Sequence, residues 1–188
     1  FRRNRMNISV NHNFEIRQET SNDTAEVYEL VKESFRTEQF SDHKEHDLVD
    51  RLRKSSHFIP ELSLVAVLNE NIIGYILLTL AGIKRDVSVC PTLALAPIAV
   101  HPEHQKRGIG AGLMKYANHK AKELGYESIV VIGHQDYYPK FGYKHAKEFG
   151  IRFPFDVPEV NSFVLELREG ALNGIAGEVV YAKEFFEG

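Results

Sequence analysis

Between positions 93 and 125 the sequence predicts a strand, a glycine-rich turn and a helix in immediate succession. The residues from Leu93 to Val100 are small and apolar, which favours a strand. A helix is predicted over Arg107–Leu124, because apolar residues recur at helical spacing and Gly125 stands where a C-terminal cap is expected. Those apolar residues are Ile109, Leu113, Tyr116, Ala117, Ala121 and Leu124. A strand that leads directly into a helix favours a fold in which a sheet carries helices.

The rest of the chain alternates short strands and helices. Asp23 followed by Glu26 is a capping-box pattern that opens a first helix, and a second short helix comes after a polar link. A charged loop is predicted over 84–86. Strands are predicted at 14–17, 62–68, 72–80, 128–132 and 162–168, with 178–186 as an edge strand or a packed tail. This order predicts an α+β fold with a single mixed, mostly antiparallel sheet flanked by helices.

The domain organisation is predicted to be simple. Residues 14–188 form one expected domain, since no repeat, low-complexity segment or linker divides them. Residues 1–13 are basic and polar but lack the apolar core of a secretory signal, so we expect a flexible N-terminal leader. Met6 is the expected natural start, with the five residues before it left over from a longer or engineered precursor.

Composition narrows the class of partners. The net charge of −3 and the pI near 6.3 provide no basic field, so a nucleic-acid partner is not expected. No apolar run approaches the length of a membrane span, and Cys90, as the single cysteine, cannot form an intrachain disulfide. We therefore expect a cytoplasmic protein with no membrane partner. Its oligomeric state is left open, with a homo-oligomer among the alternatives.

The strongest chemical signal is the turn that opens the long helix. Helix N-termini leave backbone N–H groups unpaired and carry a partial positive charge, so they attract phosphate. Two glycines allow a pyrophosphate to approach the backbone, and a lysine and an arginine add full charges. A glycine-rich helix start that binds nothing is the alternative interpretation. The segment reads Gln105-Lys106-Arg107-Gly108-Ile109-Gly110-Ala111.

Two other kinds of phosphate loop do not match this segment. The turn lacks the Gly-Lys-Ser/Thr ending of nucleotide triphosphatases. The dinucleotide-binding fingerprint needs a small residue at position 113, where Leu113 stands, and an acidic residue at the end of the next strand. That strand closes instead with Ile132-Gly133-His134.

Two further motifs flank the turn. Pro97 to Glu103 precedes it, and Tyr138-Pro139-Lys140-Phe141-Gly142-Tyr143 follows the next strand. Taken together and in this order, the three motifs resemble those of the GNAT superfamily of N-acetyltransferases. The turn is similar to that family's Q/R-x-x-G-x-G/A motif, which cradles the pyrophosphate of acetyl-CoA, and the last motif to its Y-x-K/R-x-G-F/Y signature. The specific resemblance covers about the middle third of the chain.

The strand before the turn shows a change of phase. Its larger side chains fall at Leu93 and Leu95 and then at Ile98 and Val100, a slip of one residue across Ala96-Pro97. An extra residue predicts a β-bulge, and a proline cannot donate a ladder hydrogen bond. A proline at a plain sheet edge is the alternative. In the family such a bulge splays two strands to admit the pantetheine arm. The resemblance assigns its main-chain contacts to Ile98, Ala99 and Val100.

Acyl transfer to an amine needs a neutral nucleophile, stabilisation of the oxyanion and a proton for the leaving thiolate. The resemblance assigns the proton donor to Tyr138, five residues before Tyr143, with Tyr137 as the competing tyrosine. No carboxylate lies on the predicted cofactor strand. His134 is therefore the candidate base or a cofactor contact, since an imidazole can accept a proton. Glu33 and Glu38 are expected either to line the acceptor site or to be solvated.

The resulting hypothesis is an enzyme that transfers an acetyl group from acetyl-CoA to an amine by direct attack in a ternary complex. No metal is expected, because two H-x-x-H pairs, at 43 and 46 and at 101 and 104, match no recognised metal signature. The acceptor is an amine-bearing small molecule or a peptide or protein amine, in a pocket built from the first two helices and the loops 84–91 and 152–161. The alternative is a catalytically silent acyl-CoA-binding regulator or interaction module.

Overall fold

The computed structural model describes residues 13–39 and 41–188, so the expected leader lies almost entirely outside the described part of the chain. Within that part, nine strands form one mixed sheet. The strands are β1 (Glu15–Gln18), β2 (Phe58–Leu68), β3 (Asn71–Arg85), β4 (Ser88–Val100), β5 (Ser128–Ile132), β6 (Lys144–His145), β7 (Ile151–Arg152), β8 (Ser162–Glu166) and β9 (Gly177–Val180). Helices α1 (Thr24–Phe35), α2 (Glu45–Arg53) and α3 (Ile109–Glu123) pack against it. The predicted α+β class is confirmed.

The strands lie in the order β1-β2-β3-β4-β5-β8-β6, and β9 pairs with both β3 and β7. The pairs β4–β5 and β7–β9 are parallel, and the other described pairs are antiparallel. A parallel pair requires a crossover connection, which α3 provides between β4 and β5. The N-terminus of α3 therefore follows the carboxyl end of β4, where the glycine-rich turn lies.

Three hydrophobic clusters pack against the sheet, and two of them lie on opposite faces of its central strands. Successive side chains of a strand point to opposite faces, so alternate residues of the central strands belong to different cores. Leu64 and Ile76 pack in the core that contains α3, whereas Val65 and Leu77 pack in the core that contains α1 and α2. Both faces of the central strands are thus buried, and the sheet holds the two helical layers apart.

The charged loop predicted over 84–86 is wrong. Lys84 and Arg85 belong to β3, and of the three residues only Asp86 lies in the turn that joins β3 to β4 in a long hairpin, with Arg85 opposite Ser88 at its tip. The outer part of this hairpin also pairs with β9, where Gly82 lies opposite Val180. The prediction from sequence failed here because exposed charged residues are typical of loops. This strand instead depends on hydrogen bonds to partners distant in the sequence.

The predicted Asp23 and Glu26 capping box is also wrong. Asp23 accepts a hydrogen bond from the Thr20 backbone N–H at 2.7 Å and forms an ion pair of 2.7 Å with Arg17. Glu26 accepts from the backbone N–H of Ile72 at 2.7 Å, at the start of β3. Both carboxylates thus bind partners outside the first turn of α1. The helix therefore begins without a side-chain cap from that turn.

The remaining predicted elements are close to those observed. The second short helix is present and β5 has its predicted limits, while Asn69 and Glu70 lie in the turn between β2 and β3. β8 ends two residues before its predicted end, and β9 is followed by a short 3₁₀ turn over Lys183–Phe186. None of the helices in the described residues is long and apolar enough to cross a membrane.

Candidate active site

The glycine-rich turn leads into the first turn of α3. Lys106 and Gly108 adopt left-handed backbone conformations, with φ angles of 61° and 78°. They redirect the chain, so α3 begins two residues later than predicted. The bond from the Gly112 N–H to the Gly108 carbonyl, 2.9 Å long, starts the helical ladder. The N–H groups of residues 109–111 precede that bond and form a row of donors at the positive end of the helix dipole.

Gly110 is where the turn meets two other segments. A Cβ atom added to this residue would lie 2.8 Å from the Tyr137 hydroxyl and 3.6 Å from a methyl carbon of Val100. The first distance is too short for a side chain, so only glycine fits without displacing the tyrosine. The turn, the end of β4 and the tyrosine segment therefore converge at the N-terminus of α3.

The predicted irregularity in β4 is confirmed. In the ladder to β3, two residues of β4, Ala96 and Pro97, lie opposite one residue of β3, Leu77. This is the two-against-one count of a β-bulge. The bulge explains the phase slip in the sequence. Because it adds one residue, the large apolar side chains after it point to the same face of the sheet as those before it.

A gap opens between β4 and β5 just before the bulge. Their parallel pairing ends at Ala94 and Val130. β4 nevertheless continues along β3 to Val100, and β5 continues along β8 to Ile132. The segment 98–100 therefore borders the gap without a β5 partner. Main-chain groups on a free strand edge can pair with an extended ligand, which is the arrangement expected for a pantetheine arm.

The three polar residues before the glycines have different surroundings. Gln105 donates a hydrogen bond of 3.3 Å from its side-chain amide to the Val100 carbonyl, which also accepts one of 3.1 Å from the Ser34 hydroxyl. Lys106 and Arg107 are exposed beside the row of helix N–H groups. Gln105 thus ties the turn to the end of β4, while the two cations are free to face an anion.

Tyr138 lies next to the gap and is almost fully buried, with 6% of its surface exposed. A Cβ atom added to Gly133, at the end of β5, would lie 3.0 Å from the Tyr138 hydroxyl. Burial, with a smaller contribution from neighbouring Tyr137, raises the pKa of the Tyr138 phenol well above its ordinary value. The hydroxyl therefore stays protonated at neutral pH, as a proton donor must.

The neighbouring tyrosine points elsewhere. Tyr137 is half-buried, its ring lies edge-on to Tyr138 at 5.2 Å, and its hydroxyl approaches Gly110. Burial raises the pKa of Tyr137 as well. Tyr143 is held in the core by a hydrogen bond of 3.1 Å from its hydroxyl to the Asn118 side chain. The two adjacent hydroxyls thus lie at different places, one at the helix N-terminus and one beside β5.

His134 follows β5 and is exposed, with 72% of its side chain accessible. Its Nε2 atom lies 3.9 Å from a carboxylate oxygen of Glu38, in the link between α1 and α2. Glu33, by contrast, pairs with Arg36 on its own helix at 3.1 Å. The structure therefore brings Glu38, but not Glu33, to the exit of β5.

A pocket of about 230 Å³ lies beside the bulge on the face of the sheet that carries α2. Leu95 and Ala96 of β4 and Ile132 of β5 form its inner wall. The remaining lining residues come from α2, from the segment before it and from the C-terminal third of the chain. They are Asp42, Lys44, Glu45, Leu48, Arg51, Phe155, Tyr181, Phe185 and Glu187.

Sequence reasoning identified only part of this pocket. It expected α1, α2 and the loop 152–161 to contribute; α2 does and Phe155 lies in that loop, but α1 supplies none of the lining residues. It also expected the loop 84–91, which instead belongs to the β3–β4 hairpin and is absent from the lining residues just named. The contributions of Tyr181 and Phe185 were missed. The aromatic pattern Tyr181, Phe185 and Phe186 in an otherwise polar terminus was the available signal.

A larger groove, of about 530 Å³, lies on the other side of the glycine-rich turn, between α1 and the end of β4. Four carboxylates and the pair His101 and His104 line it, with the two rings 5.7 Å apart. The carboxylates are Glu26, Glu29, Glu33 and Glu103. Because carboxylates repel phosphate, this groove disfavours the anion that the neighbouring helix N-terminus attracts.

Comparison with known proteins agrees with this geometry. Residues 24–143 match the family model described as the acetyltransferase (GNAT) family. YjhQ of Escherichia coli K12, an uncharacterised N-acetyltransferase, is 32% identical over 149 residues, which cover 79% of this chain and 80% of that protein. YhbS of the same strain, also an uncharacterised N-acetyltransferase, is 28% identical over 171 residues, covering 90% of this chain and 97% of that protein.

Two crystal structures resemble the fold over almost its whole length. E. coli YhbS in complex with CoA superimposes with a TM-score of 0.84 at 27% identity, covering 93% of both chains. A GNAT-family acetyltransferase from Brucella melitensis in complex with acetyl-CoA superimposes with a TM-score of 0.76 at 26% identity, covering 93% of this chain and 99% of that one. On this evidence, together with the sequence match, the chain belongs to the GNAT acetyltransferase family.

Proposed function

We propose that this acyltransferase moves an acetyl group from acetyl-CoA to a primary amine by direct attack within a ternary complex. The observation that carries the proposal is the gap between β4 and β5, which opens just before the bulge and ends at the glycine-rich turn. The binding of CoA and acetyl-CoA by YhbS and by the Brucella protein supports it. Residues 14–188 would act as one catalytic unit.

The proposed cofactor site uses main chain more than side chain. The pyrophosphate is assigned to the N–H groups of residues 109–111, next to Gly108 and the exposed cations Lys106 and Arg107. The pantetheine arm is assigned to the free edge of β4 along Ile98, Ala99 and Val100. Gln105 contributes by fixing the turn to that edge.

The proposed reaction conserves atoms and protons. The acceptor ammonium loses one proton, and the neutral nitrogen attacks the thioester carbonyl carbon to form the C–N bond. As the C–S bond breaks, the thiolate takes a proton from the Tyr138 hydroxyl, and the nitrogen's second proton passes to the Tyr138 phenolate, directly or through water, and restores the donor. The products are an amide, free CoA and one net proton. His134, beside Glu38 at the exit of β5, is the proposed receiver of the first proton, directly or through water.

The test is a panel of amines, including small amines and lysine-containing and free N-terminal peptides, scored by release of free CoA. Thermal stability with and without acetyl-CoA is measured in parallel, because a ligand selective for the native state raises the melting temperature. We expect both a stabilisation and amine-dependent CoA release. Stabilisation without release from any amine would favour a silent acyl-CoA-binding module, and the lack of both would reject the proposal.

A further inference from the structure

We propose that the pocket beside the bulge selects a primary amine carried on a small aromatic body, and that Glu45 is the carboxylate that binds its ammonium group. This inference rests on the proposed function, since it assigns the acceptor of that reaction. It uses residues of α2 and of the C-terminal third of the chain, which the resemblance to the family does not assign.

The position of the pocket makes it the natural place for an acceptor. Its inner wall is formed by Leu95, Ala96 and Ile132, which border the point where β4 and β5 part. A molecule in this pocket therefore approaches the gap from the α2 face, whereas the glycine-rich turn opens α3 on the other face. An acceptor and a cofactor could then meet in the gap without competing for space.

The outer wall of the pocket is aromatic. The Tyr181 ring contacts Phe155 at 5.0 Å and Phe185 at 4.8 Å, both edge-on, and Phe186 stacks on Phe155 at 5.3 Å. Leu48 completes the apolar surface from α2. Aromatic rings favour edge-on and offset contacts with further rings, and their faces attract cations. The wall therefore fits the ring of an arylalkylamine better than a purely polar chain.

Glu45 supplies the charge that an ammonium group requires. One of its carboxylate oxygens, Oε1, accepts a very short hydrogen bond from the Ser41 hydroxyl, which fixes the side chain. The other, Oε2, is shielded from bulk water and has no hydrogen-bond partner among the described residues. A shielded carboxylate oxygen without a donor is unfavourable, so a rotation of the side chain that turns Oε2 toward an N–H donor in the pocket would stabilise it.

The other charged groups of the pocket are arranged differently. Asp42 accepts from the Lys44 backbone N–H at 2.9 Å, and Arg51 donates to the Glu184 carbonyl at 3.3 Å. Both side chains are thus partly engaged with backbone. With Glu45 and Glu187, the acidic lining groups outnumber the basic ones by three to two. This balance favours a cationic acceptor over a zwitterionic one such as a free amino acid.

The size of the pocket limits the acceptor. Its volume of about 230 Å³ is smaller than the roughly 300–1,000 Å³ of most ligand pockets. One ring with a short aminoalkyl chain is therefore the appropriate probe, and 2-phenylethylamine meets this description. Butylamine tests the contribution of the ring, and phenylalanine tests the effect of an added carboxylate.

The experiment measures kcat and KM for these three amines with saturating acetyl-CoA, in the wild type and in three variants. We expect 2-phenylethylamine to have the highest kcat/KM of the three. Glu45→Gln should raise its KM by about 10- to 100-fold, the range for loss of a charge-assisted hydrogen bond. Phe155→Leu should reduce the preference for the aromatic amine over butylamine. Glu148→Gln, an exposed carboxylate outside the pocket, is the matched control and should change neither.

Each measurement tests a separate part of the proposal. Better turnover of phenylalanine or of butylamine than of 2-phenylethylamine would overturn the proposed acceptor class. An unchanged amine KM in Glu45→Gln would overturn the role of that residue. Acetyl-CoA stabilisation is measured in every variant, so a misfolded one is recognised, and the wild-type amine order then still tests the acceptor class. Loss of cofactor binding and of CoA release with every amine would instead reject the proposed function itself.

Discussion

The glycine-rich turn and the pocket beside the bulge face the same gap but are built in different ways. The turn consists of consecutive residues, 105–111, and lies next to the end of β4 that leads into it. The pocket collects side chains from four separate stretches, around residues 42–51, 95–96, 132 and 155–187. One region is a local structure made of backbone, and the other is a tertiary structure made of side chains.

This difference corresponds to what each region is proposed to recognise. A pyrophosphate is bound through N–H groups and charge, which any sequence with glycines at the correct positions can present. An acceptor is recognised by shape and by a few placed polar groups, and these depend on which side chains the fold brings together. Changes in the two regions should therefore separate cofactor binding from acceptor preference, and four predictions test that separation.

Tyr138→Phe is expected to have the largest effect. Because its hydroxyl is assigned to protonating the thiolate, its removal should lower kcat by about 10² to 10⁴-fold. The ring remains in the core, so the affinity for acetyl-CoA should stay near that of the wild type. Single-turnover rates with an accepted amine, together with cofactor titration, measure the two effects separately.

Tyr137→Phe serves as the control for that variant. Its hydroxyl approaches Gly110 at the helix N-terminus, so we expect a change in cofactor affinity and a nearly normal chemical rate. If Tyr137→Phe loses the chemistry and Tyr138→Phe keeps it, the assignment of the two tyrosines is reversed.

Gly108→Glu should affect the cofactor alone. The change places a carboxylate beside the proposed pyrophosphate and a side chain at a φ of 78°, so the stabilisation by acetyl-CoA should disappear. Gly174→Glu provides a matched control, because Gly174 has a similar φ of 69° in open space. Thermal unfolding with and without acetyl-CoA compares them, and an equal shift in both variants would remove the turn from the cofactor site.

His134→Gln should affect the acceptor side to a smaller extent. The side chain is exposed, so water can replace it in part, and we expect kcat near neutral pH to fall about tenfold. Glu38→Gln should cost less than about fivefold, since exposed ion pairs contribute little. A pH profile of kcat for both variants is the measurement. A wild-type profile in His134→Gln would leave the base to another group or to solvent.

Asp23→Asn is expected to change stability and neither site. The hydrogen bonds and charge of Arg17 hold the pKa of Asp23 below its ordinary value, despite the opposing effect of burial. That contribution to stability is therefore complete above the ordinary carboxyl pKa of about 4 and is lost as the pH falls below it. At pH 7 the variant should lose about 1–3 kcal/mol of unfolding free energy.

Denaturant unfolding at pH 7 and at pH 3 measures this difference, which should shrink at the lower pH. The preference among amines should be unchanged, because Asp23 lies at the start of α1 and contributes to neither the turn nor the pocket. An altered KM for either substrate would show that the two regions depend on this end of the sheet.

Local features of the fold were predictable to different degrees. The bulge at Ala96 and Pro97 and the limits of β5 followed from side-chain phase and apolar runs, because each depends on a few neighbouring residues. The hairpin tip near Arg85 and the partners of Glu26 did not follow, because their hydrogen bonds come from residues distant in the sequence. The functional roles of the turn and the tyrosines were predicted through the resemblance and remain predictions.

The sequence by itself determined the class of the fold, the family and the position of the glycine-rich turn, since periodicity and glycine placement act over a few residues. Only the tertiary structure decided which side chains surround the gap between β4 and β5. Glu45, Phe155 and Tyr181 are separated by up to 136 residues, and nothing near any of them indicates the others. They meet because packing of α2 and of the C-terminal third on one face of the sheet buries their apolar neighbours together.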